Sequence, residues 1–332
     1  MPTTTYYVDS PSGAGSTDGT SLANAYASAA GIMANRAADT DDLIVELHGT
    51  TDTNSSNNGF QMTGMSCASL TWRVMEDTYI WDQGWRFDRV FELSDNYNVT
   101  VDGDYSFKIQ HSHASATVDM VYHNGTGTLT FERLEILSHA GTGGSGVRGQ
   151  ANGSTTTIKN LLIKVGVPAS GVTAQGTGSV VNVYNFTVAN CGAHGLSDVS
   201  GTLNAYNGYS GANTSNDYNG TFGTKTNCLS SDATGTTTSV AFSTANFVNV
   251  TGGTEDLHII ASGALDGVGS SAPAPGDSAS TDLDNAAYSD PRSVGCYEVV
   301  AVGGDEFFEQ WHQIEPGMKT VHGAGMSGVL VE

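Results

Sequence analysis

Carboxylates offer the first chemistry. Asp102, Asp104, Asp119, Glu132 and Glu135 fall close together in the chain. Two carboxylates at a suitable separation hydrolyse glycosides, and a cluster of them takes Ca²⁺. Lys108 and Arg133 are the bases beside them. With 34 acidic residues in 332, such neighbours also arise by chance. The catalytic candidates are therefore Asp102, Asp104, Glu132 and Glu135, matched by residue type alone. Four histidines follow, His111, His113, His123 and His139, with 26 residues from His113 to His139. A metal needs three or four converging ligands, and turn histidines are the plainer expectation. No metal site and no cofactor are expected, Ca²⁺ being the one ion the acids could take. Trp72, Trp81 and Trp85 lie beside Phe87 and Phe91. Indole faces stack well on pyranose rings, so these are the glycan-binding candidates; the plain alternative is aromatics that fill wide turns. Phe307, Phe308, Trp311 and Ile314 share a helical face between Gly303-Gly304 and Pro316 and read as a docking surface. No nucleophile elbow, phosphate loop or HExxH motif occurs.

What must hold these residues is a repeat. Phe131, Ile158, Val183 and Ala205 follow one another at 27, 25 and 22 residues, and Leu134, Leu161, Phe186 and Gly208 keep the same steps. Ile136, Ile163, Val188 and Ser210 do so too. A second register places Gly146-Val147, Gly171-Val172, Gly195-Leu196 and Gly220 at steps of 25, 24 and 25. Periods in the twenties mark solenoids. Each unit alternates apolar with polar, is rich in Thr, Val and Ile, and has Gly and Asn between its runs, which suits short strands and turns. Leucine-rich and helical repeats fit poorly. A coil of parallel strands remains, with about nine turns over residues 43–261 and a length of roughly 40 Å. Asn160, Asn185 and Asn207 should stack as a structural ladder at one turn, each amide bonding its neighbour or the backbone.

These residues resemble the right-handed parallel β-helix, or pectate-lyase-like, superfamily, found in polysaccharide lyases and in phage spike and decoration proteins. The opening is similar too: a strand at residues 4–9, a Gly- and Ser-rich loop, an Ala-rich helix with Leu22, Tyr26, Ala29 and Met33 at helical spacing and Thr20 or Ser21 as its cap, then a strand from Leu43. The resemblance implies that this helix covers the open end of the coil, where strand edges and apolar interior need cover. It also gives meaning to Gly263 to Gly269, Asp282-Leu283-Asp284, Pro291-Arg292 and Val294 to Glu298, which resemble a closing signature of structural character. The expected fold is all-β: a single-stranded right-handed parallel β-helix with an N-terminal capping helix and a C-terminal extension. Its divisions are residues 1–48, 49–300 and 301–332.

Composition bounds the function. Charged residues make up 14% of the chain and its net charge is −22. Such a surface repels phosphate backbones, which excludes nucleic acid as a partner. No run reaches the length of a membrane span, and residues 1–7 lack the basic and apolar runs of a signal peptide. The four cysteines form no C-x-x-C pair, and Cys191 and Cys228 read as buried thiols. The favoured expectation is a virion structural protein, a head decoration or a spike. It would be anchored through its C-terminal segment to copies of itself or to other virion proteins, and would bind host surface glycans. The alternative is a secreted polysaccharide lyase or glycoside hydrolase.

Overall fold

The period of the sequence becomes a strand ladder. The computed structural model describes residues 2–10, 18–36, 38–53, 60–62, 66–83, 89–112, 117–164, 169–236, 239–270, 274–299, 321–323 and 326–328. Among the described residues nine strands form a first face: Thr3–Ser10, Asp42–Gly49, Ser69–Val74, Asn98–Gly103, Thr128–Phe131, and the leading halves of Thr155–Ile163, Val180–Ala189, Thr202–Gly211 and Thr224–Ser230. A second face stacks Thr51–Thr53, Ile80–Gln83, Phe107–His111 and Leu134–His139 under the trailing halves of the same four long strands. A third runs Phe60–Met62, Arg89–Leu93, Asp119–His123, Val147–Gly149, Val172–Ala174, Leu196–Asp198 and Tyr218–Asn219. Every pairing within these three faces is parallel. This is a parallel β-helix; eight spacings of about 4.8 Å make its first face about 38 Å long.

The registers follow the sequence period. Phe131 pairs with Ile158, Ile158 with Val183 and Val183 with Ala205. Leu134 pairs with Leu161, and Leu161 with Phe186. On the third face Val147, Val172 and Leu196 are successive partners, but the next is Tyr218 and not Gly220. The step from Leu196 to Tyr218 is 22 residues, the same as the step from Val183 to Ala205 on the first face. Alternation sends one side of each strand inward. Val101, Phe131, Ile158, Val183, Leu161 and Phe186 are all closed to solvent in one core. Phe91 sets its ring edge-on to Phe107 and Phe131 at 5.8 and 5.3 Å. Gly208 continues the Phe186 column because a Cβ there would sit 2.2 Å from the Phe186 ring.

Two elements differ from expectation. The N-terminal helix is shorter and later. Residues 22–24 form a single 3₁₀ turn, Leu22 is 48% exposed, and Tyr26 bridges to Val8 as strand. The α-helix is Ala29–Arg36, with the Ser28 hydroxyl accepting the Gly31 N–H at 3.3 Å in place of a Thr20 or Ser21 cap. Ala29 and Ile32 pack into the coil's core with Met33 against it. The coil also ends sooner, at Ser230 and not near Ala261. Phe247–Asn249 and Asp256–Ile259 pair antiparallel with each other. Residues 239–270 and 274–299 turn back along the outside of the second face. There Leu257, Ile259, Leu265, Leu283, Val294, Cys296 and Tyr297 join the outward-facing Leu162, Ala189, Tyr209 and Leu229 in a second core.

The returning segment reads the corner between the first two faces. Asn160, Asn185, Asn207 and Asn227 take φ of 56°, 48°, 53° and 50° there, the left-handed conformation that Asn tolerates best among residues with a side chain. Asn160 donates to Thr281 O at 2.9 Å, Asn185 to the Asp277 carboxylate at 3.1 Å, and Asn207 to Ser293 O and to Asn185 Oδ1, both at 3.0 Å. One turn below, Arg133 holds Gly103 O, Thr281 and Asn285 from the same corner. The closing motif is absorbed into this seam. Arg292 pairs with Asp277 at 2.8 Å, Asp282 accepts from the Asp284, Ala286 and Glu298 amides, and Glu298 accepts from Ser293. All four cysteines are buried free thiols.

The chain divides into two units, Met1–Val299 and Val300–Glu332. Within the second, Val321–Gly323 and Met326–Gly328 pair as antiparallel strands. Phe307, Phe308, Trp311 and Ile314 lie outside the described residues, as do Trp85 and His113.

Candidate functional site

The outward side of the first face carries a column of polar rungs. Glu46 pairs with Arg73 and Arg73 with Asp102. Glu132 and Lys159 follow Phe131 and Ile158 into the same column, and Tyr184, Tyr206 and Thr226 complete it. Neighbouring rungs of opposite charge are paired: Arg73 Nε lies 3.6 Å from Asp102 Oδ1, and Lys159 Nζ 2.7 Å from Glu132 Oε1. Lys159 also bonds Ser278 of the returning segment. Burial, opposed by Arg73, raises the Asp102 carboxyl above the usual range, and its Oδ1 is closed to solvent without a hydrogen-bond partner.

Asp104 and Glu135 belong elsewhere. They line a cleft of about 610 Å³ between the second face and the returning segment, with Asp77, Lys108, Asp284, Tyr105 and Tyr297. Glu135 accepts from the Ser106 hydroxyl and lies 4.0 Å from Lys108 Nζ; Lys108 is held by Asp77 at 2.9 Å. At the rim His258 stacks on Tyr297 with ring centroids 4.0 Å apart, its two nitrogens bonded to Asp256 and Asp284. The Asp284 hydrogen bond is the main cause that lifts the imidazole to about 9, Asp256 adding to it and burial opposing. The four catalytic candidates thus divide into a ladder pair, Asp102 and Glu132, and a cleft pair, Asp104 and Glu135.

Other candidates are placed differently. Trp72 is 1% exposed in the coil's core, so it cannot stack on a sugar: its strand position alternates inward between Val45 and Val101. Trp81 sits in a second-face strand opposite Asp52 and Ile109. His111, His123 and His139 are buried. His123 bonds Thr156 at 2.9 Å, and burial lowers its pKa to about 4, so it is a neutral core residue. Among the described residues no three His, Cys, Asp or Glu side chains converge as a metal site.

No protein-family model matches the chain, no curated protein matches it, and no solved structure does. Its chemistry is therefore read from its own geometry. Sequence reasoning missed Asp77, Asp284, Tyr105 and Tyr297 in the cleft. Asp284 and Tyr297 stood in the closing motif, which gives no hint that it folds back beside Glu135. Asp77 and Tyr105 come from turns that carry no period.

Proposed function

We propose that the chain is a display β-helix: a virion structural protein of the decoration or spike type, related to the pectate-lyase-like superfamily. It presents its coil to glycans and joins its particle, or copies of itself, through residues 301–332. The observation that favours display over catalysis is the occupation of the carboxylates. Glu132 is bonded to Lys159, Asp102 faces Arg73, and Glu135 is held by Ser106. Such pairs stabilise neighbouring rungs, as cross-strand pairs do in any sheet. A glycosidase needs one protonated carboxyl and one free carboxylate on opposite sides of a bound sugar. The test is incubation of the full chain with neutral and acidic polysaccharides, with and without Ca²⁺, and sedimentation with host-derived particles. No new chain ends and co-sedimentation through residues 301–332 are expected; sustained depolymerisation would overturn the reading.

One observation favours the enzyme alternative, a secreted lyase or glycoside hydrolase. Asp102 has an elevated carboxyl pKa and an unbonded oxygen near Glu132, which suits a general acid. If the chain cleaves a polysaccharide and Asp102→Asn or Glu132→Gln abolishes cleavage, this alternative replaces display.

A further inference from the structure

The outward column of the first face ends in an aromatic shelf. Tyr184 and Tyr206 stack with centroids 4.9 Å apart and planes 6° from parallel. That separation is one strand spacing, so the rings lie across the column like successive treads. Tyr184 is 4% exposed, and its hydroxyl is tied to Pro275 O. The next tread after Tyr206 is Thr226, an exposed and much smaller side chain. The outer face of the Tyr206 ring therefore opens onto a hollow of about 400 Å³, walled by Ala274 and Pro275 and lined by Thr224, Thr226 and Asn227.

Asn227 supplies the second observation. It is the last left-handed corner residue, and the three amides below it are taken up by the returning segment. Among the described residues the Asn227 side chain makes no hydrogen bond, and it faces the hollow with one acceptor and two donors. Among the described residues the charged groups lining the hollow are Arg292 and Asp277, which neutralise each other at 2.8 Å. Among the described residues, an uncovered ring face beside a free amide and two hydroxyls, with no uncompensated charge, matches a sugar ring: apolar on its C–H face and polar around its edge.

We propose that the hollow over Tyr206 binds a neutral pyranoside, with the ring stacked on Tyr206 and its hydroxyls bonded by Asn227, Thr224 and Thr226. The ligand class rests on the glycan-display reading; the site does not depend on where the protein is anchored. The net charge of −22 disfavours polyanionic sugars here.

The experiment is saturation-transfer NMR on the full chain with methyl β-glucopyranoside, methyl β-galactopyranoside, methyl α-mannopyranoside and N-acetylglucosamine, and with galacturonate as the anionic comparison. At least one neutral sugar should receive saturation and galacturonate none. Tyr206→Ala should weaken binding by about tenfold or more, while Tyr206→Phe keeps the shelf. Thr226→Tyr, at an exposed position, should add a third ring to the stack, fill the hollow and abolish binding in a folded protein. Binding unchanged in both Tyr206→Ala and Thr226→Tyr would place the sugar elsewhere and overturn the site while leaving glycan display intact. Transfer to no neutral sugar would overturn both the site and its ligand class. Cleavage of polysaccharide is the separate result that sinks display.

Discussion

Asn185 holds three things at once. Its backbone takes a left-handed corner, its Oδ1 accepts from Asn207, and its amide donates to Asp277, which also carries Arg292. Asn185→Leu loses both hydrogen bonds and forces a branched side chain into that corner, a cost of about 2–4 kcal/mol. The melting temperature should fall by several degrees, and Asn185→Gly, which keeps the corner but not the amide, should fall less. Equal losses would mean that the backbone conformation contributes nothing. His258 gives the second residue-scale prediction. Its folded pKa, about 9, lies above the unfolded value near 6.5. The clamp's stabilisation is therefore complete below pH 6.5 and is lost as pH rises through 9. Melting curves across that window should decline for the native chain and lose this component in His258→Ala; identical pH profiles would remove His258 as the cause.

At the scale of elements, the trailing halves of the four long strands in the second face are buried on both sides. Simple alternation would assign Leu162 to solvent, between the inward Leu161 and Ile163. It is 1% exposed because the returning segment covers it, together with Ala189, Tyr209 and Leu229. Parallel strands covered on both faces read as continuous apolar runs, and residues 161–163 are one. Leu162→Asp should therefore cost several kcal/mol, comparable with a coil-core substitution. Denaturant unfolding measures this; a change within about 0.5 kcal/mol would mean that the segment does not cover Leu162 in solution.

For the whole molecule, the first unit carries its own cores, its own end cover and its own closing seam. Removing residues 303–332 should leave its melting curve unchanged and abolish self-association or particle binding, which Phe307, Phe308, Trp311 and Ile314 are proposed to provide. Several buried large side chains, at about 1.5–3 kcal/mol each, suffice for such an anchor. Sedimentation mass beside the melting curve decides it: an unfolded truncation would make the segment part of the fold, and an unchanged mass would remove its docking role.

The coil itself was legible in the sequence. Parallel stacking repeats one environment every turn, so the steps of 27, 25 and 22 residues that link Phe131 to Ala205 are also the strand registers. The corner asparagines were legible for the same reason, since each must solve the same backbone problem. Tertiary structure alone decided what lies outside that period. Trp72 became core because strand parity, not residue type, sets its direction. The helix began at Ala29 because Tyr26 was needed as a strand partner of Val8. The acidic cleft and the Tyr206 hollow both have one wall in the coil and the other in the returning segment, residues 239–270 and 274–299. A segment that folds back across many turns meets each of them once, so its contacts leave no repeat to read.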